Sequence, residues 1–405
     1  MKFDTKSNMI LIAVAALGYF VDVYDLILFA VIRNDSLKNL GFTGQALMDN
    51  GIFLFNIQMA GMLLGGIIWG VLGDKRGRLT VLFGSILMYS LANIANGFVT
   101  DLTWYAIFRF IAGIGLAGEL GAGVTLVNEA MSKENRGYGT MLVVSFGPMG
   151  AVTAALMGKF FDWRTAFFVG GAMGLVLLLM RIGIFESSMF KTASNKNVKR
   201  GDFLSLFTDS KRFMTYLKCI LIGIPIWYVI SILITFAPEI AKKLNVLGEI
   251  SGGTAIMCGY IGLSIGDFAN GYMSQWMRSR KKPLLIFMVL SLVCNLIFLN
   301  MEQVSTTTFY TMCILLGTFA GTWAVFVTTS SEQFGTNIRA TVTTTVPNFV
   351  RGAVILITIT FKYLREDVGI INSAMIVGLV CTALALWATI NIEETFGKDL
   401  DYVEG

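Results

Sequence analysis

The sequence predicts an all-α integral membrane protein, with twelve transmembrane helices in two six-helix halves related by pseudo-two-fold symmetry. Three observations carry that reading. Of 405 residues, 55% are apolar and only 14% are charged, whereas a soluble domain carries about 25% charge. Uncharged stretches of roughly 20 residues recur, which is the length a helix needs to cross about 30 Å of hydrocarbon. The spacing of charged pairs repeats halfway along the chain, as expected of a duplicated transporter fold. Ten-residue alternating strands do not occur, so the backbone is expected to satisfy itself in helices rather than in a barrel.

The elements follow in order. The first span, 9–32, comes after Lys2 and Lys6 but carries Asp22 and Asp25 and lacks a small-residue cleavage site, so it reads as a retained helix rather than a signal peptide. Spans 51–73 and 79–100 are free of charge. The fourth, 102–131, is interrupted by Arg109 and Glu119, and 137–158 and 165–180 complete the first set. The stretch 186–212 is basic and rich in Ser and Asn, which suits a linker. It divides the chain into a bundle over 1–186, a cytoplasmic linker over 187–212 and a second bundle over 213–405. The second set is 219–238, 250–277, 283–300, 303–331, 338–361 and 368–392, with Asp267 in the eighth span and Arg351 in the eleventh. With the N-terminus placed in the cytoplasm, nineteen Lys and Arg fall inside and eight outside. The positive-inside rule then puts both termini in the cytoplasm of a cell whose inner membrane holds the protein.

Composition excludes several function classes. The net charge of +5 is not gathered into a nucleic-acid patch, and no phosphate-cradling glycine loop is present. The five cysteines lie singly in apolar stretches, without the paired spacing of a zinc site or disulfide framework. No cofactor or metal is expected. Histidine is absent, so proton chemistry falls on carboxylates.

The repeat can be read residue by residue. Glu129 and Arg136 recur 203 positions later as Glu332 and Arg339, and the loop GVLGDKRGRL from Gly70 has a weaker copy, GYMSQWMRSRKK, from Gly271. The first loop, with Gly70, Asp74, Gly77 and Arg78, resembles the signature between helices two and three of the major facilitator superfamily. RFIAGIGLAGE from Arg109 to Glu119, with Glu129 and Arg136, is similar to the sugar porter, aromatic-acid:proton and metabolite:proton symporter branches. DWRTAFFVGG before helix six and the Arg339 and Arg351 spacing favour the two acid-transporting branches. The paired glutamines of sugar porters are missing from CILIGIPIWYVI in helix seven. Gly147, Pro148 and Gly150 partly match a motif of exporters, which leaves direction open.

Charges at mid-membrane cost about 2.5 to 3.5 kcal/mol on insertion scales, so each calls for a partner or a task. Asp22 and Asp25 share a face of the first helix. At 1.5 Å per residue, Asp25 lies roughly 24 Å up from the start of its span and Arg109 roughly 10 Å down from the start of its own, so the two meet in depth. An acid beside a guanidinium that comes and goes is suited to taking and releasing a proton, and the resemblance to sugar porters implies proton coupling there. Asp22, Asp25, Arg109 and Glu119 form the coupling set, with a static lock of the two helices as the alternative. Arg351 suits a substrate carboxylate through its planar fork, unless Asp267 merely neutralises it. Tyr19, Tyr24, Asn56, Gln58, Trp227, Tyr228, Trp323 and Asn348 are cavity candidates. The resemblance implies an ion-pair latch that shuts the inner gate through Gly70, Asp74, Gly77, Arg78, Glu129, Arg136, Glu332 and Arg339.

The expectation is therefore a monomeric, proton-coupled secondary transporter of a small anionic or zwitterionic metabolite, working in the lipid bilayer without nucleic acid and not an enzyme. A proton-driven exporter is the alternative. An intramembrane aspartyl protease is a remote one, suggested by Tyr24 with Asp25 and by the run from Ser264 to Asp267.

Overall fold

The computed structural model describes residues 5–131, 136–181 and 201–398. Twelve helical spans make up nearly all of them. The first six are α1 (Thr5–Asn39), α2 (Gly44–Arg76), α3 (Arg78–Asn96), α4 in two pieces (Leu102–Leu116 and Glu119–Ala130), α5 in two pieces (Arg136–Phe146 and Met149–Phe160) and α6 (Trp163–Met180). The expected linker residues 187–200 lie outside the described part, as do the side chains of Glu129 and Arg136. A helical turn, Ser205–Thr208, precedes α7, which begins earlier than its uncharged stretch (Ser210–Tyr228) and continues as a π-helix, Val229–Ile234. Then come α8 (Gly252–Trp276), α9 (Lys281–Asn300) and α10 in two pieces (Thr306–Ala320 and Trp323–Glu332). The last stretch, Arg339–Asn391, is parted at Gly369, whose φ of 79° is non-helical, into α11 and α12.

Short polar residues start several of these helices by accepting their first free amides. Asp101 receives the N–H of Thr103 at 2.9 Å and of Trp104 at 3.0 Å, and Asp162 receives those of Arg164 at 2.9 Å and Thr165 at 3.1 Å. The hydroxyl and amide of Thr165 hold the Asp162 carboxyl below its ordinary pKa. Asp209, Ser251 and Ser305 cap α7, α8 and α10 in the same way.

The repeat seen in the sequence is carried by backbone contacts. On α2, a Cβ at Gly61 or Gly65 would overlap the carbonyls of Phe110 and Ile114 on α4, and one at Gly113 would overlap that of Gln58. On α8, Gly262 and Gly266 press in the same way on Ile314 and Thr318 of α10, and Gly317 on Gly259. Each member of the second set stands 201 or 204 positions after its counterpart. Small residues let helices approach closely where lipid offers no hydrophobic drive to associate. Tyr24 donates to the Ala166 carbonyl at 2.9 Å, tying α1 to α6, and Tyr228 donates to that of Ala374 at 2.7 Å, tying α7 to α12.

Both long breaks also repeat, at 117–118 in α4 and at 321–322 in α10. In α4, Trp69 Nε1 takes the Ile114 carbonyl at 2.7 Å, and the Gly118 amide turns to Gly115 instead. In α10, Asp267 accepts the amide of Ala324 at 3.2 Å, which caps the second piece.

Candidate functional site

An even number of spans brings the two chain ends to one face, the termini end, and leaves a far end opposite. Between them α1, α5, α7, α8, α10 and α11 surround a cavity lined by Tyr19, Val23, Leu26, Pro148, Ile226, Trp227, Ile230, Tyr260, Leu263, Trp323 and Arg351. Its volume is ≈ 20 Å³, room for on the order of one water molecule. Pro148, which has no amide to give, sits where α5 is interrupted.

Arg351 is the charged group of this cavity and is 1% exposed. Its Nη1 donates to Asn348 Oδ1 at 3.2 Å, and its guanidinium carbon lies 5.5 Å from the ring of Trp323 and 5.9 Å from that of Trp227. The two indoles meet edge to face at 6.4 Å. The acid nearest Arg351 comes from the other half: Asp22 Oδ2 stands 3.9 Å from Nη2. The alternative in which Asp267 neutralises Arg351 is not what the structure has: Asp267 caps the second piece of α10 instead. At 3.9 Å the Asp22 contact is an ion pair without a hydrogen bond, and neither Asp22 oxygen has a hydrogen-bond partner. Arg351 Nε and Trp323 Nε1 are likewise buried donors without acceptors. The site therefore presents unused N–H groups, two aromatic faces and one carboxylate loosely held across the seam.

The rest of the coupling set lies inside the first half. Asp25 is within electrostatic reach of Arg109, as their depths predict. Arg109 donates to Asn93 Oδ1 at 2.6 Å and to Gln58 Oε1 at 3.5 Å, and stacks 4.8 Å over Phe167. Glu119 forms a buried two-bond pair with Arg181 beneath Gly18 of α1, one bond at 2.9 Å. Nothing in the sequence marks Arg181, because an arginine at the end of a span is normally interfacial. Nor does anything there mark Arg280, which is 3% exposed and grips Glu332 with two bonds of 2.9 and 3.0 Å. Tyr260 is a further cavity residue whose place among apolar neighbours gave no signal.

The termini end is sealed between the halves. Asp74 Oδ2 accepts the amide and the hydroxyl of Thr341, both at 2.7 Å, Oδ1 accepts the Ala340 amide at 3.2 Å, and Arg78 lies 3.3 Å away. Asp74 thus caps α11 from the opposite half. Gly70 lets the α2 backbone reach Thr341, and Gly77, with φ 98°, makes the turn into α3. Asn348, expected in the cavity, also donates to the Ala117 carbonyl at 2.8 Å across this seam. Arg339 is buried at the start of α11. At the far end the halves meet again through Thr358 and Asn56 at 3.4 Å and through Lys362 and Asp49 at 3.5 Å. Tyr24, Tyr228 and Asn56 therefore spend their polar groups on helix ties rather than on the cavity.

Comparisons with known proteins agree with this architecture. Residues 10–359 match the family model described as Major Facilitator Superfamily. The niacin transporter NiaP of Acinetobacter baylyi is 36% identical over 186 residues, covering 45% of this chain and 42% of that one. The putative niacin/nicotinamide transporter NiaP of Bacillus subtilis is 25% identical over 84% of each chain. The benzoate transport protein of Acinetobacter baylyi is 29% identical over 44% of this chain and 39% of its own. Among solved structures, the proton:xylose symporter XylE superposes with a TM-score of 0.77 at 16% identity, covering 98% of both chains.

Proposed function

The chain belongs to the major facilitator superfamily and is a multi-pass secondary transporter; from that membership and the chemistry of its cavity we propose that it carries a small planar carboxylate, of the nicotinate or benzoate kind, together with a proton. The observation that carries this reading is Arg351 set between Trp227 and Trp323, with Asp22 as its loose partner from the other half. A guanidinium fork and a free indole N–H suit a carboxylate, and the two indole faces suit a flat ring. Names of the relatives, which include niacin and benzoate transporters, support the same class. The termini are assigned to the cytoplasm by the excess of Lys and Arg at that end.

Coupling follows from competition for one cation. A substrate carboxylate that engages Arg351 displaces Asp22, which is left buried with no hydrogen-bond donor. An isolated buried carboxylate is strongly unfavourable and takes up a proton. Binding of the anion and of the proton thus rise together, and the pair crosses as a neutral unit when the halves rock. The sequence favoured Asp25 for this task; the geometry favours Asp22, since Asp22 faces Arg351 across the seam, whereas Asp25, whose oxygens also lack hydrogen-bond partners, lies within reach of Arg109 inside one half.

The test is Asp22→Asn in proteoliposomes. This variant is expected to bind and exchange benzoate or nicotinate, with affinity no longer dependent on pH, and to lose accumulation driven by a proton gradient. Gradient-driven accumulation at the wild-type level would overturn the role of Asp22.

A further inference from the structure

A second cavity lies on the same path, toward the far end. It is lined by Phe29, Ala30 and Arg33 of α1, Gly51, Ile52 and Phe55 of α2, Ser231, Thr235 and Phe236 of the α7 region, and Thr358 of α11. Arg33 is eleven residues beyond Asp22 on α1, about 16 Å at 1.5 Å per residue, and Thr358 is seven beyond Arg351, about 10 Å. The cavity therefore stands a short step outward of the central one.

Its polar groups are few and poorly satisfied. Arg33 is 8% exposed, with its guanidinium 5.9 Å from the ring of Phe236 and its Nε bonded to Asn34 at 3.3 Å. Its aliphatic stem packs on Gly51, where a Cβ would lie 2.6 Å from its Cδ. Glu239, on the short helix after α7, acts on Arg33 electrostatically across the seam, but the two form no ion pair, and Glu239 Oε2 is buried without a hydrogen-bond partner. Ser231 is 1% exposed and its hydroxyl has no partner either. It lies in the π-helical stretch of α7, a local widening that recurs at functional sites. By contrast, the hydroxyls of Thr235 and Thr358 are spent on helix carbonyls at 2.7 and 2.8 Å.

We infer that Arg33 forms an outer capture site for the substrate's carboxylate, with the rings of Phe29 and Phe55 from the same half receiving its flat body, while Ser231 and Phe236 line it from the other half only in the closed form. The inference rests on the reading of the central site above and adds a first stop on the way to it. In the closed form Glu239 balances Arg33 from across the seam. When the far end parts, the second half carries Glu239 away, and Arg33 remains in an apolar wall with its charge uncompensated. An incoming carboxylate then takes the place of Glu239. Closure returns Glu239 and repels the anion inward, toward Arg351. The site is thus strong only in the state that must load, which is a differential interaction able to bias the cycle.

The experiment is uptake of labelled benzoate by the full chain in proteoliposomes, with equilibrium binding in nanodiscs alongside. Arg33→Gln is expected to raise KM about tenfold with kcat within a factor of two, and Arg33→Lys to raise it less than threefold. Glu239→Gln is expected to lower KM, because the closed form then no longer compensates Arg33 and the loading form gains population. In an Arg351→Ala background a weak saturable benzoate component is expected to persist and to vanish on adding Arg33→Gln. An unchanged KM in Arg33→Gln, or an unchanged or raised KM in Glu239→Gln, overturns the capture site while leaving the transport reading intact; the Glu239 arm decides the matter if Arg33→Gln does not fold. Absence of benzoate and nicotinate binding to the wild type overturns the transport reading, and the capture site with it.

Discussion

Arg351 has a neutral amide on one side, two indoles around it and an acid too distant for a hydrogen bond, so its fork is held in place but not consumed. That separates recognition by shape from recognition by charge. Arg351→Lys keeps the charge but loses the two parallel N–H bonds and the stacking on Trp227 and Trp323. It is expected to weaken benzoate binding at least tenfold, about 1.4 kcal/mol, with expression and thermal stability close to wild type, as measured by equilibrium binding and melting of the purified protein. Undiminished affinity would mean that the cavity attracts anions by charge alone. The position of Arg351 was legible in the sequence, since an arginine in the middle of an apolar span needs a reason. Its partner was not. Hydropathy gives depth along one helix but not the rotation of one half against the other, and it is that rotation which brings Asp22 rather than Asp267 to Arg351.

Ties between elements follow the same division. Spans, their order and the duplicated register could be read from uncharged runs and from spacings near 203 residues, because lipid enforces length and the repeat enforces offset. The glycine contacts of α2 with α4 and of α8 with α10 repeat at those offsets in the folded chain. Ion pairs were harder to foresee. Glu332 takes Arg280 and Glu119 takes Arg181, each far away in sequence, and a charge at a helix end gives no sign of turning inward. The Glu119 and Arg181 pair joins the second piece of α4 to the end of α6 under Gly18 of α1. Removing one partner strands a buried charge, at a cost of about 3 to 5 kcal/mol, whereas replacing both with apolar residues of similar size is often near neutral. Arg181→Met alone is thus expected to lower the melting temperature sharply, and Glu119→Leu with Arg181→Met to restore most of it. If the double variant melts normally yet retains full proton-driven uptake, Glu119 has a structural role and leaves the coupling set.

For the whole molecule the decisive asymmetry is between its two seams. The far seam has one exposed ion pair, Lys362 with Asp49, at 41% and 42% exposure, and exposed pairs contribute about 0 to 1 kcal/mol. The termini seam has a 1% exposed carboxylate set on the first amides of α11, where the helix dipole favours negative charge. It also has the Asn348 bond to Ala117 and the close approach of Gly70 to Thr341. The far end is therefore expected to part more readily, and opening of the termini end is expected to require release of the Asp74 cap. Asp74→Asn keeps the size of the side chain, halves its acceptors and removes the charge, so it is expected to populate forms parted at the termini end. Spin labels on Lys75→Cys and Lys282→Cys, both exposed and on opposite halves, report the separation by pulsed electron resonance. The five native cysteines are buried and do not compete for label. Asp74→Asn is expected to add a longer distance that is minor in the unmodified background, and Thr341→Val, which removes one of the four contacts, to add less of it. Identical distributions in all three proteins would show that the seam is held by glycine packing rather than by the carboxylate.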